Sequence, residues 1–272
     1  LIVRACYDSE GPPRDLRSRL MYKVGTDGMV VINERSRQRA VARHGILIET
    51  VQVVEPGIDL DRFSPRRHIS ETRASFGLKQ DAFVVGVVTR IRASRRLDIP
   101  LKALHALAPS YPQLQMLLVG RGREGAVENV VAKPARTLNI FDRIVLAGYC
   151  EEDRLVAAYR AMDLLVYPIP GSDKSCRTVR EAMAAGVPVI APAIGFLPEL
   201  IEDHSTGRLM ALAWESLAKI LEELILDRAQ LLEMGQRSLQ TAIRRFSPVL
   251  QAERTLYFYH KLLVNAGYSQ NN

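Results

Sequence analysis

The chain repeats one pattern that few architectures can accommodate. Short runs that are apolar on both faces alternate with segments of helical period. Phe83–Val88, Leu114–Val119, Ile144–Ala147, Leu164–Tyr167, Val187–Ala191 and a weaker Gly207–Met210 read as strands. Runs such as Val84-Val85-Gly86-Val87-Val88 and Met116-Leu117-Leu118-Val119 have no polar side to offer water. Strands like these need cover on both faces, which a parallel sheet between two helix layers supplies. Helices are expected at 97–109, 124–139, 152–161 and 178–185, with longer ones at 213–242 and 248–265. Together they predict one complete doubly wound domain, with its ligand at the carboxyl ends of the strands.

A shorter alternation precedes it. Gly28–Asn33 reads as a strand, Glu34–His44 as a helix stopped by Gly45, and Val51–Glu55 as a strand closed by Pro56-Gly57. Residues 57–80, with Ser64-Pro65-Arg66-Arg67, have the turn residues of a linker. The chain opens at Leu1 on a strand-like run without an initiator Met or a signal-peptide pattern, as a fragment or processed form would.

Composition narrows the function classes. The 47% apolar and 25% charged residues are those of a globular protein, and no apolar run approaches a membrane span. Cys6, Cys150 and Cys176 are scattered, without an obvious pairing or metal-ligand spacing, which suits a reducing cytosol. The net charge is +7, and residues 14–43 hold eight basic side chains against three acidic ones. That segment is either a solvated helix surface or a patch for anionic lipid or an anionic acceptor. Nucleic acid is not expected as a partner, because Tyr22 has no aromatic companions for stacking bases.

Three turns at strand ends could carry chemistry. Gly120-Arg121-Gly122-Arg123-Glu124-Gly125 fits G-x-G-x-x-G, but no ribose-binding acid closes the next strand and Pro134 interrupts the following helix. A tight strand-to-helix turn explains it better than a dinucleotide. Arg90-Ile91-Arg92-Ala93-Ser94-Arg95-Arg96 is either an exposed basic loop or a clamp for a diphosphate, each guanidinium offering a planar fork to phosphate oxygens. Asp173 and Glu181 stand eight apart, on a polar loop and in the first turn of the next helix. Helix-start amides there can face an anion, and a carboxylate can accept the hydroxyls of a ribose. Thr178-x-x-Glu181 is equally a capping box.

The pattern around these acids resembles the retaining glycosyltransferases of the GT-B fold, glycosyltransferase family 4 (group 1). The family carries E-x7-E followed by E-A-M-A-x-G-x-P-V-V-A. Here Asp173 and Glu181 stand at the acids, and Ala182-Met183-Ala184-Ala185-Gly186-Val187-Pro188-Val189-Ile190-Ala191 completes the run. Gly195-Phe196-Leu197-Pro198-Glu199 matches G-G-x-P-E, Thr89-Arg90-Ile91 with Arg95-Arg96 matches the G-R-L…K-G loop, and Glu55-Pro56-Gly57-Ile58-Asp59 with Phe63-Ser64-Pro65 matches the linker. The departures are Asp for the first Glu, Arg95 for the lysine, and Lys174-Ser175-Cys176 for G-F-G.

The resemblance implies an α/β chain of GT-B type: one complete Rossmann-like doubly wound parallel-sheet domain and part of a second. Its divisions would be the end of an N-terminal acceptor-side domain at 1–56, a linker at 57–80, a nucleotide-sugar domain at 81–245, and a helix at 246–272 crossing back with part of its apolar face exposed. It implies transfer of a sugar from a nucleoside diphosphate sugar to a glycan or glycolipid acceptor with retention. The setting would be cell-envelope polysaccharide or lipopolysaccharide synthesis. Arg90 and Arg95 would neutralise the diphosphate, Asp173 would orient the sugar, and Glu181 would hold the ribose. Gly148 and Tyr149 would lie beside the base. Gly57 and the segment Lys174, Ser175, Cys176, Arg177 and Thr178 would approach phosphate or sugar. No metal and no cofactor beyond the donor would be required. The location would be cytoplasmic, at the inner face of the plasma membrane, with contact through residues 14–43. A non-catalytic nucleotide-sugar-binding module of the same fold is the alternative.

Overall fold

The computed structural model describes residues 1–8, 11–13, 15–65, 69–169 and 176–267. The chain divides into two compact units, one built from Leu1–Asp59 and Arg244–Asn272 and the other from Leu60–Pro170 and Arg177–Ile243.

The first unit runs β1 (Val3–Cys6), α1 (Leu16–Val24), β2 (Gly28–Val31), α2 (Glu34–His44) and β3 (Val51–Val53), with the strands parallel in the order β1-β2-β3. Helix α2 begins where the Asn33 Oδ1 accepts the Ser36 N–H at 2.7 Å, and ends where Gly45 turns left-handed at φ 63°. Alternation along β2 feeds both faces. Met29 and Val31 pack with Ala40, Ile46 and Val51, while Val30 packs with Val54 and with Phe258 and Leu262 of the helix Pro248–Asn265. That helix lies so close to β2 that a Cβ on Gly28 would sit 2.3 Å from Leu262 Cδ1. Its Leu256, Tyr257, Tyr259 and Leu263 remain exposed.

The second unit continues as α3 (Leu60–Phe63), α4 (Ile69–Ser75), β4 (Phe83–Val88), α5 (Asp98–Leu107), β5 (Leu114–Val119), α6 (Lys133–Thr137), β6 (Ile144–Gly148), α7 (Glu152–Ala161), β7 (Leu164–Val166), α8 (Arg177–Ala184), β8 (Val189–Pro192), α9 (Leu197–Leu200), β9 (Gly207–Met210), α10 (Trp214–Leu226) and α11 (Arg228–Arg245), which precedes α12 (Pro248–Asn265). All six strands are parallel in the order β6-β5-β4-β7-β8-β9. The order reverses between β4 and β7, so the crevice beyond their carboxyl ends is where such a sheet receives ligands. The α/β class read from the two-faced strands is the one observed.

Residues 57–80, read as a linker, contain α3 and α4. One expectation needs correcting. The helix expected over 213–242 is two helices, because Asp227 leaves helical backbone at ψ 78° and its Oδ1 then accepts the Gln230 N–H at 2.9 Å. The helix expected over 124–139 is present, continuous over 126–137, with a π-helical stretch, Glu128–Ala132, running into α6. Pro134 has no N–H to give and its ring crowds the carbonyl four residues back, so the wider turn sits where a regular helix cannot.

At the opposite, amino end of the sheet one carboxylate joins three elements. Asp163 accepts the Val84 N–H at 2.6 Å, Arg73 Nη2 at 2.8 Å and Arg228 Nη1 at 2.8 Å. Arg73 also donates to the carbonyls of Gln80, Ala82 and Ala161. The node ties β4 to β7, the pair that bounds the crevice.

Candidate functional site

The turns after β4 and β5 are joined back to back. The Ile91 N–H donates to Arg121 O at 2.9 Å, and Ile91 pairs with Gly122 in a short parallel bridge. A Cβ on Gly120 would lie 1.8 Å from Thr89 O, and the residue sits at φ 146°. A Cβ on Gly122 would lie 2.7 Å from Ala126 Cβ and 2.9 Å from Ile91 O. The first two glycines of the G-x-G-x-x-G run are therefore accounted for by close backbone approach, as a tight turn requires.

Arg90, Arg92, Arg121 and Arg123 line a cavity of about 780 Å³ together with Glu124 and Asn129. Arg95 does not line it. Its residue is 6% exposed, at the end of a 3-10 turn closed by Arg96, which pairs with Asp98 at 3.1 Å. Gly148, at the end of β6, is left-handed at φ 71° and its carbonyl accepts the Gly120 N–H at 2.8 Å. Next to it, Tyr149 is exposed and the Arg121 guanidinium lies 4.5 Å from its ring centroid.

Across β4, helix α8 brings Glu181 to the crevice. The carboxylate is buried at 4% exposure. One oxygen accepts the Tyr159 hydroxyl at 2.9 Å and the other accepts Arg177 Nε at 2.7 Å. These are its partners among the described residues, so the carboxylate does not reach back to the Thr178 N–H as a capping box would. Two ionised oxygens offer about four lone-pair directions, which leaves room for further donors. Burial, reinforced by the adjacent Glu181 charge, pushes the Tyr159 hydroxyl well above its ordinary range, so it stays protonated and donating.

The remaining expected residues fall as follows. Asp173, Lys174 and Ser175 lie outside the described residues. Cys176 is buried at φ 44°, and Arg177 and Thr178 open α8. Gly57 lies in the first unit, where its N–H donates to Gln251 Oε1 at 2.8 Å and a Cβ would stand 2.8 Å from Pro248 Cα, so packing alone accounts for a glycine there. Tyr159 and Arg180 were not singled out from the sequence. Arg180 is fully buried on α8 with its guanidinium 5.7 Å from the Phe196 ring centroid. An arginine among Val179, Ala182 and Met183, on the apolar side of a helix, was the available signal. Among the described residues no group of three or more His, Cys, Asp or Glu could hold a metal ion. No described helix is long and apolar enough to cross a membrane.

Residues 68–241 match the family model described as glycosyl transferases group 1. The D-inositol 3-phosphate glycosyltransferase of Mycolicibacterium smegmatis is 34% identical over 68% of this chain, and the match spans 42% of that relative's length. The corresponding protein of Streptomyces bingchenggensis is 32% identical over the same share. Among solved structures, Anabaena Alr3699/HepE in complex with UDP superimposes with a TM-score of 0.80 at 22% identity, over 95% of this chain and 72% of that one. A glycosyltransferase from Rickettsia africae gives 0.82 at 19% identity, over 96% and 70%.

Proposed function

The chain belongs to the group 1 glycosyltransferases, and from that premise we propose that its second unit holds a nucleoside diphosphate sugar at the β4/β7 crevice. The complete protein would transfer the sugar, with retention, to a glycan or glycolipid acceptor in cell-envelope polysaccharide or lipopolysaccharide synthesis. The observation that carries the reading is Glu181: a buried carboxylate beside the strand-order reversal, with lone pairs to spare for the two hydroxyls of a ribose. Arg90, at the end of the neighbouring strand, supplies fixed positive charge for the diphosphate, and the amides opening α8 add to it. The UDP bound by the Anabaena neighbour fits such a donor. Asp173 would orient the sugar. Leaving-group charge would then be stabilised by arginines and amide dipoles, with no requirement for a metal.

Calorimetry of this chain against uridine, guanosine and adenosine diphosphate sugars tests the reading. One of the three is expected to bind, and Arg90→Ala is expected to weaken the nucleoside diphosphate at least tenfold more than the nucleoside. Silence across the panel, or equal weakening of both, would remove the proposal. Transfer by the complete protein, with phosphorylated polyols included among acceptors because the relatives are D-inositol 3-phosphate glycosyltransferases, separates an enzyme from a non-catalytic binding module.

Contact with an anionic membrane surface belongs to the same proposal. On α1, Leu16, Leu20 and Val24 are exposed one turn apart, interleaved with Arg17, Arg19 and Lys23. The chain is expected to sediment with vesicles containing phosphatidylserine and not with neutral ones. Equal recovery from both would discard this contact.

A further inference from the structure

A further cavity lies in the second unit, at the end of the sheet remote from the crevice. Its volume is about 420 Å³, a size that small-molecule sites commonly have. Its walls come from the turn before β7, the turn between α8 and β8, and one face of α11. Two glycines join the last two. Gly186 is left-handed at φ 71°, and a Cβ on Gly235 would stand 2.5 Å from the Gly186 carbonyl oxygen. Helix α11 therefore rests backbone to backbone on that turn, which fixes one side of the cavity.

The lining has two chemical halves. Met162, Val187, Pro188, Leu231 and Leu239 make an apolar wall, and Leu232, 70% exposed, continues it toward solvent. The charged half is Arg73, Arg160 and Arg228 against Asp163, three guanidiniums facing one carboxylate. Arg73 is spent on the fold, since it donates to three backbone carbonyls and to Asp163. Arg160 Nη2 holds the carbonyls of Arg62 and Ser64. Arg228 differs from both. It gives Nη1 to Asp163 and lies 4.5 Å from the Phe83 ring centroid. Among the described residues its other N–H groups donate to no protein atom, and its side chain is 46% exposed. Surplus positive charge beside apolar surface is costly until an anion meets it. A ligand that carries one anionic group on an apolar body satisfies both halves together.

We propose that this cavity binds a singly charged anionic amphiphile of the fatty-carboxylate kind, its head on Arg228 and its chain against Val187, Leu231 and Leu239. The site does not depend on the donor reading. Asp163 and Pro188 immediately precede β7 and β8, whereas Arg90 and the start of α8 follow β4 and β7. The cavity is therefore at the amino ends of the strands and the crevice at their carboxyl ends. A nucleotide suits it poorly, because no aromatic side chain among its described lining residues could stack on a base. An alkyl cation would meet the surplus of guanidiniums, and a neutral chain would leave Arg228 without its anion.

Calorimetry of the chain with decanoate, kept below its micelle-forming concentration, tests the site, with decanol and decyltrimethylammonium as neutral and cationic controls. Saturable binding of decanoate is expected, about tenfold tighter than decanol, from one charge-assisted hydrogen bond to Arg228. The ammonium compound should not bind. Octanoate should bind about 15-fold more weakly than decanoate, the effect of two fewer buried methylenes. Arg228→Gln should bring decanoate down to the level of decanol. Leu232→Glu changes an exposed position and leaves the Asp163 node untouched, so the fold is kept while a carboxylate at the entrance weakens decanoate about tenfold. Absence of decanoate binding, equal binding of all three ten-carbon compounds, or decanoate affinity unchanged in both variants would overturn the proposal. Displacement of decanoate by uridine diphosphate would move the ligand to the crevice and overturn it as well.

Discussion

Glu181→Ala should weaken nucleoside diphosphate binding about 100-fold. Two charge-assisted hydrogen bonds to a ribose diol at about 1.5 kcal/mol each give about 3 kcal/mol, which is about two decades in affinity. The same substitution should cost stability. Tyr159 is fully buried, its other contact is to Thr178 O at 3.4 Å, and without Glu181 its hydroxyl has no good acceptor. An unsatisfied buried hydroxyl costs about 1–3 kcal/mol. Glu181→Gln separates the two effects, because an amide oxygen still accepts from Tyr159 while the charge is gone. It should keep the melting temperature close to the parent's and lose nucleotide affinity. Unchanged nucleotide binding in both variants, with only the alanine form destabilised, would leave Glu181 a partner for Tyr159 and nothing more. The Tyr159 hydroxyl gives an independent check. Its folded pKa is raised, so its contribution is intact below the ordinary tyrosine value of 10.0 and is lost as pH rises beyond it, where the unfolded chain ionises and the native one resists. Tyr159→Phe should flatten that alkaline decline in urea midpoints.

Asp163→Ala should be the most damaging single change in the second unit. It removes the carboxylate partner of the Arg73 charge, which keeps only carbonyl acceptors, and the acceptor of the Val84 N–H, and the Arg73 and Asp163 side chains are only 10% and 15% exposed. Removing one partner of a buried pair costs about 3–5 kcal/mol. Urea denaturation should show a midpoint shift of that size, and a loss below about 1 kcal/mol would mean the node is effectively solvated. Asp163→Asn should fall between, since its amide oxygen can keep one of the three donors.

The strands of the second unit were legible because both faces are buried and the runs have no other home. Phe83–Val88, Leu114–Val119 and Gly207–Met210 begin and end where the sequence placed them. The start of β8 was read two residues early, since Val187-Pro188 is apolar but Pro188 gives no N–H to a ladder. The break at Asp227 was hidden inside a continuous helical period and depends on one side chain choosing a cap. The site divided along the same line. Local signals such as Arg90 at a strand end and Glu181 on the helix after β7 could be read, although α8 begins at Arg177 and so places Glu181 in its second turn and not its first. The Tyr159–Glu181 bond links residues 22 apart, and the gathering of Arg90, Arg92, Arg121 and Arg123 round one cavity depends on Ile91 pairing with Gly122. Neither follows from any window of sequence.

The Ile91–Gly122 pairing also constrains how the strands can come together. If β5 slipped one place against β4, every side chain on it would change faces, and Arg121 and Arg123 would be driven toward the core. Two unpaired cations in that interior would be costly, so the arginines themselves disfavour the slipped pairing of the central strands.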